Sequence, residues 1–180
     1  FMKKITDGFY QHELGRIVAA ESNRGLCWLG FMVSREDGAY KGNGFERMKT
    51  FFSEAVFVHD DLRISQTLPA SFQAWEADRL EDIQLDLRGT VFQKDVWKAL
   101  QTIPKGHVVS YGDIAQKIGR PKAQRAVGSA VGENPVSLIV PCHRVVQASG
   151  ALGNYGWGTA LKEKILTLES QDVLHRIQAA

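Results

Sequence analysis

Proline and glycine cut the second half of this 180-residue chain into short pieces, and that punctuation limits it to a few small helices. Thr90-Val91-Phe92-Gln93 has the form of a capping box, with Thr90 at the N-cap and Gln93 three residues on. The helix it opens is expected to reach about Leu100, with Phe92, Val96, Trp97 and Leu100 on one face, before Pro104 and Gly106 end it. Ser110-Tyr111-Gly112-Asp113 starts a second helix, carrying Ile114, Ala115 and Ile118 and stopped by Gly119 and Pro121. A third is predicted from about Pro121 to Val131. Two short helices about a tight, glycine-containing turn make a helix-turn-helix.

The first half is patterned differently. Gly15 to Ala20 and Leu26 to Val33 read as strands joined by the turn Ser22-Asn23-Arg24-Gly25. Phe45 to Phe52 has helical spacing, Ala55 to Val58 is a further strand candidate, and Leu68 to Leu80 reads as a helix with Pro69 in its first turn. Ile83, Leu85 and Leu87 alternate with polar residues like a half-buried strand. The fold class expected is α+β. A small N-terminal module with an antiparallel sheet spans residues 1–88, and a mostly helical domain with the helix-turn-helix spans 89–180. Residues 1–88 carry 11 Lys and Arg against 14 Asp and Glu, whereas residues 89–180 carry 11 against 6. The basic half suits an anionic partner such as nucleic acid.

With 44% hydrophobic and 23% charged residues the composition is that of an ordinary globular protein. No window approaches the roughly 18 consecutive apolar residues of a membrane span, and no signal-peptide core opens the chain. Phe1 stands ahead of Met2, which we read as the natural start. Two cysteines at unrelated spacing make no disulfide framework, so a reducing cytoplasm is the expected location. No membrane partner is expected, and a monomer is.

The chemistry concentrates at Pro141-Cys142-His143-Arg144-Val145, entered from the apolar run Val136 to Val140, which reads as a buried strand. A thiol is a strong nucleophile as its thiolate, and a neighbouring base supplies that form. Cys142 is the candidate nucleophile and His143 its base, acting directly or through a water. Glu169, Glu163 and Glu133 are candidates to orient the imidazole. Tyr111, at a helix start, is placed to donate a proton or a hydrogen bond to a leaving group. Arg125 stands among small residues in Ala123-Gln124-Arg125-Ala126-Val127-Gly128-Ser129-Ala130, where a helix can approach a groove closely. Gly150, Gly153, Asn154, Gly156 and Gly158 make the next stretch an irregular loop, and Leu161, Ile165 and Leu168 mark one side of a final helix.

Together these motifs resemble the O6-alkylguanine-DNA alkyltransferases, also called methylated-DNA–protein-cysteine methyltransferases. The resemblance covers nearly all of residues 84–180. It rests on Leu85 to Thr90, Phe92 to Trp97, Val109-Ser110-Tyr111, Arg125-Ala126-Val127, Asn134-Pro135, and Ile139 through Val146 with its Pro-Cys-His-Arg core. The first half resembles the family's variable first domain more loosely.

The resemblance implies a DNA-repair methyltransferase that works once. Cys142 takes the alkyl group from O6-alkylguanine, and from O4-alkylthymine, in double-stranded DNA and keeps it as a thioether. His143 receives the thiol proton through a water, Glu169 orients His143, and Asn134 braces the Cys142 segment. Tyr111 makes the departing base a neutral leaving group. Arg125 fills the stack after the damaged nucleotide has been flipped out. Ala123 and Ala126 allow the recognition helix into the minor groove, Ser110 joins the DNA-binding set, and Tyr155 belongs to the loop that closes over the base. Where many members carry a serine after that tyrosine, Gly156 and Trp157 stand here, as in bacterial adaptive-response proteins. No cofactor is implied. Cys27, His12 and His59 are too scattered for the structural zinc of some relatives, so no metal is expected.

Three rival readings are weaker. A protein that binds alkylated bases without repairing them has no use for Cys142, and against a regulator fragment, the C-terminal part of a transcriptional activator, stand the expected start at Met2 and the lack of a cysteine-rich metal domain in this sequence. A Cys-His hydrolase keeps its base far from its nucleophile in sequence and gives no reason for a helix-turn-helix.

Overall fold

The computed structural model describes residues 3–34 and 42–172, and the chain divides into two compact units. The first comprises residues 1–88 with Pro135–Ile139, the second residues 89–134 with 140–180.

The first unit is built on β1 (Lys4–His12), β2 (Gly15–Ser22), β3 (Gly25–Phe31) and β4 (Val56–His59), in the sheet order β3-β2-β1-β4. The expected hairpin is β2–β3, antiparallel with Ser22 opposite Gly25. β1 also runs antiparallel to β2, but β4 joins β1 parallel, so the sheet is mixed rather than wholly antiparallel. Helix α1 (Gly44–Phe51) is opened by a capping box on Asn43. Helix α2 (Asp61–Glu76) starts seven residues before the expected Leu68, and Pro69 lies inside it instead of at its first turn. Asp60 caps α2 through the Arg63 N–H, and Ile64, Leu68, Phe72 and Trp75 bury one face against β1, which outweighs the hydrogen bond that proline cannot make. Gly8 lets the helix approach: a Cβ there would lie 2.8 Å from Ile64 Cγ1 and 2.9 Å from the Asp60 carbonyl.

Two expected strands are absent as such. Ile83 to Leu87 makes a single bridge, Leu85 to Leu26, and no ladder. The apolar run before the cysteine also makes one bridge, Val136 to Leu29. The chain then turns at once, with Leu138 at φ +72° and a 2.9 Å hydrogen bond from Ile139 N–H to the Ser137 carbonyl. Every residue from Pro135 to Val140 is buried, so the run is apolar because it is enclosed, not because it is extended.

The second unit is mostly helical. α3 (Val91–Leu100) has the expected Thr90 capping box and buries Val96, Trp97, Ala99 and Leu100. α4 (Tyr111–Lys117) is capped by Ser110, whose hydroxyl accepts from the Asp113 N–H. α5 (Gln124–Gly132) begins three residues later than expected, because Pro121–Ala123 forms the turn. α4 and α5 are the helix-turn-helix, with Gly119 at φ +75° between them. Buried Trp97 ties α3 to α5 by a 2.8 Å bond from Nε1 to the Ala130 carbonyl. β5 (Val109–Ser110) and β6 (Val145–Val146) form a two-residue parallel ladder that places the start of α4 beside the chain after the cysteine. α6 (Thr159–Glu169) closes the unit. No helix among the described residues is long and apolar enough to cross a membrane.

Candidate active site

Cys142, His143 and Arg144 form one turn of 3-10 helix between Pro141 and β6, and all three are buried. Cys142 is 8% exposed, and neither cysteine is in a disulfide. The turn is braced from the end of α5, where Asn134 donates from Nδ2 to the Val140 carbonyl at 2.7 Å. Asn134→Ala is expected to cost about 1 kcal/mol by removing a buried hydrogen bond to a carbonyl that keeps its bond from the Cys142 N–H, a loss that urea unfolding measures.

His143 is fully buried and its Nε2 lies 2.7 Å from Glu169 Oε1. Of the three carboxylates considered, Glu169 is the one bonded to the imidazole; Glu133 and Glu163 are exposed. An ionised carboxylate only accepts, so Nε2 carries the hydrogen and Nδ1 keeps its lone pair. Nδ1 is buried and has no hydrogen-bond partner among the described residues. Burial pushes His143 below the usual imidazole range; the Glu169 charge and hydrogen bond oppose this, and the Arg144 and Lys162 charges reinforce it. A neutral imidazole with one open acceptor is the form a general base requires.

Arg144 was not assigned a role from the sequence. Its side chain is fully buried and forks onto Glu169, with Nε 3.0 Å from Oε2 and Nη2 2.8 Å from Oε1, while Nη1 donates to the Ile103 carbonyl at 2.7 Å. Burial alone would raise the Glu169 carboxyl. The charge interaction and hydrogen bond with His143, followed by the hydrogen bonds and charge of Arg144, more than offset this and hold it well below the usual carboxylate range.

α6 does not present the expected face. Lys162, Ile165 and Leu166 point inward with the Glu169 side chain, and Leu168 is 44% exposed. The helix turns two charged residues into the site and gives up an apolar one. Tyr111, half-buried at the start of α4, has its hydroxyl pushed up by burial and then by the charge of Cys142, so it remains a hydrogen-bond donor at neutral pH.

The nucleic-acid candidates lie on the same unit. Arg125, Ala126 and Ser129 are exposed on α5, and Ala123 is half-buried at its N-cap. The Ser110 hydroxyl serves as the cap of α4. Tyr155 is half-buried in the glycine loop, where its carbonyl accepts from the Gly158 N–H at 3.0 Å. Among the described residues no three His, Cys, Asp or Glu side chains are grouped to hold a metal ion.

Residues 91–171 match the family described as 6-O-methylguanine DNA methyltransferase, DNA binding domain. A methylated-DNA–protein-cysteine methyltransferase of Methanosarcina acetivorans is 41% identical over 160 residues, 89% of this chain and 95% of that protein. The chain belongs to the methylated-DNA–protein-cysteine methyltransferase family. A Mycobacterium tuberculosis O6-methylguanine methyltransferase superposes with a TM-score of 0.68 at 36% identity, covering 92% of each chain. The bifunctional transcriptional activator and DNA repair enzyme Ada of Escherichia coli is 38% identical over 161 residues, 89% of this chain. The match spans 44% of that relative, and 53% of a 59% identical methyltransferase of Mycolicibacterium paratuberculosis. The match thus spans about half the length of several curated family members.

Proposed function

We propose that this protein repairs duplex DNA by moving the alkyl group of O6-alkylguanine onto Cys142, one group per molecule. The observation that carries the proposal is the His143–Glu169 pair: a buried imidazole, adjacent in the chain to the thiol, holds its hydrogen on Nε2 and leaves Nδ1 open to take a proton. The thiol proton passes to Nδ1 through a water, and Glu169 stabilises the imidazolium. The sulfur electron pair attacks the alkyl carbon as the carbon–O6 bond breaks, and the electrons of that bond go to the departing guanine. A proton or hydrogen bond from the Tyr111 hydroxyl neutralises that base. The product is a thioether, and no residue of the site reverses it. O4-alkylthymine presents the same alkyl–oxygen bond and is a second substrate.

A base inside the helix cannot reach a thiol that is 8% exposed, so the damaged nucleotide must be extruded. The exposed α5 face enters the minor groove, where the small side chains of Ala123 and Ala126 permit close contact and Arg125 takes the vacated place. The solved complex of the mycobacterial OGT with DNA, 37% identical to this chain with a TM-score of 0.69, supports nucleic acid as the partner. The protein acts as a monomer in the cytoplasm and needs no cofactor. Arg125→Ala is expected to slow repair in duplex DNA about tenfold, the worth of ~1.4 kcal/mol of stacking offset, and to leave iodoacetamide alkylation of Cys142 unchanged.

The test is a titration. Increasing O6-methylguanine duplex is added to a fixed amount of protein and the restored guanine is counted. A plateau at one guanine per protein is expected; continued turnover, or no restoration with tight binding, contradicts the proposal.

A further inference from the structure

The corner between β4 and α2 holds a group of charges that alkyl transfer does not use. β4 ends at His59 and α2 starts at Asp61, with Asp60 between them as the cap of the helix. In the parallel β1–β4 pair Asp7 stands opposite His59, which sets the two side chains on one face of the sheet. His59 Nδ1 lies 2.8 Å from Asp7 Oδ2, and Nε2 lies 2.8 Å from Asp61 Oδ1. Asp61 Oδ1 also accepts from the Phe9 N–H at 2.7 Å, so the same carboxylate ties the start of α2 to β1.

An ionised carboxylate only accepts hydrogen bonds, and a neutral imidazole has one N–H to give. An imidazole that bonds a carboxylate through each nitrogen therefore carries both hydrogens and a positive charge. The hydrogen bond and charge of Asp7, with the charge and hydrogen bond of Asp61, raise His59 above the usual imidazole range, and burial opposes them. The other charges of the corner are engaged elsewhere. Asp60 accepts from the Arg63 N–H, Arg63 Nε lies 2.8 Å from Glu21, and Arg16 and Lys49 lie over the rings of Phe9 and Phe57 at 4.3 and 3.9 Å. The two clasps differ in their access to water. The Asp7 side chain is 2% exposed, so water cannot replace the imidazole there, whereas Asp61 is 58% exposed and water can. A ring that loses one proton therefore keeps the hydrogen on Nδ1, and bare Nε2 then faces the Asp61 oxygen, lone pair to lone pair.

We propose that His59 is a charge-operated latch: as the imidazolium it clasps both Asp7 of β1 and Asp61 at the start of α2, and as the neutral imidazole it keeps Asp7 and releases Asp61. The latch loosens the corner beside β4, the outer strand of the sheet, as pH rises. Because the native value is raised, the stability that His59 adds is complete below its unfolded value of about 6.5 and is lost as pH rises through the native one. The latch is independent of the alkyl transfer proposed above.

Long-range proton–nitrogen NMR of the histidine rings in the intact protein, assigned through the His59 backbone, reads both hydrogens as pH is raised. The expected result is a His59 midpoint above the ordinary histidine value of about 6.5, with the hydrogen lost from Nε2 and kept on Nδ1. Asp61→Asn removes the charge that the latch releases and is expected to lower the midpoint. In urea unfolding the gap between wild type and Asp61→Asn is expected to narrow as pH passes the wild-type midpoint. A wild-type midpoint at or below about 6.5, or loss of the hydrogen from Nδ1, overturns the proposal, and the wild-type spectra alone decide it if the variant does not fold. An Asp61→Asn midpoint equal to that of the wild type, or a gap in urea that stays constant with pH, overturns it as well.

Discussion

Cys142→Ala is expected to lower alkyl transfer by at least about 10³-fold, the scale on which removing a nucleophile acts, while duplex affinity stays within about twofold of wild type. The two effects separate because the thiol is buried while the proposed DNA-facing side chains are exposed. Cys142 is buried in its 3-10 turn, whereas Arg125, Ala126 and Ser129 are exposed on α5. Side-chain loss at a small, nearly enclosed position costs little stability, about 1 kcal/mol. Transfer measured with methyl-labelled duplex and affinity measured by fluorescence anisotropy check the pair of outcomes. Loss of both together would mean that the thiol segment itself holds DNA.

Arg144→Met is expected to be the most damaging change to stability, at about 3–5 kcal/mol, because it leaves Glu169 buried with its main cation removed. Arg144 donates to both Glu169 oxygens and to the Ile103 carbonyl, so it joins the thiol turn to the end of α6 and to the chain after α3. The pH dependence follows from Glu169. Its carboxyl is held below its unfolded value, so the stability it contributes is complete above roughly pH 4.5 and is lost as pH falls further. In Arg144→Met the native carboxyl rises toward or above its unfolded value, so that acid-side loss should shrink or reverse. Urea unfolding of both proteins at several pH values measures the difference; equal midpoints at neutral pH would show that the fork carries no net stability. Arg144→Met combined with Glu169→Gln should recover part of the loss, since no buried charge then remains unmatched.

What the sequence made legible was local. The Thr90 and Ser110 caps, the β2–β3 turn and the helix-turn-helix each depend on residues within a few positions of one another, and each is found, with only the start of α5 displaced by three residues. β1 escaped notice because it carries Asp7 and Gly8 in its middle, and each has a distant reason. The Asp7 carboxylate is buried against His59 at 2.8 Å, and Gly8 makes room for α2. The β5–β6 ladder pairs residues 36 apart in two-residue strands, for which no periodicity exists. Val136 to Val140 looked like a strand since enclosure and extension leave the same apolar signature.

The site divides in the same way. Cys142, His143, Asn134 and Tyr111 were visible because their motif is contiguous or punctuated. Glu169 could be separated from Glu133 and Glu163 only by resemblance until the 2.7 Å contact with His143 set it apart. Arg144 and Lys162 were passed over because charged residues are normally turned to solvent. In α6 the rule misleads twice, burying Lys162 and exposing Leu168. A signal was available: Lys162, Ile165, Leu166 and Glu169 share the i, i+3, i+4, i+7 spacing of a single helix face.

Intact-protein mass before and after mixing with an O6-methylguanine duplex, with peptide mapping of the product, is the measurement to make first. A gain of one methyl group, located on Cys142, stopping at one equivalent and absent with undamaged duplex, is the expected result. An unchanged mass in a protein that binds the damaged duplex tightly would contradict alkyl transfer and leave a protein that recognises the lesion without repairing it.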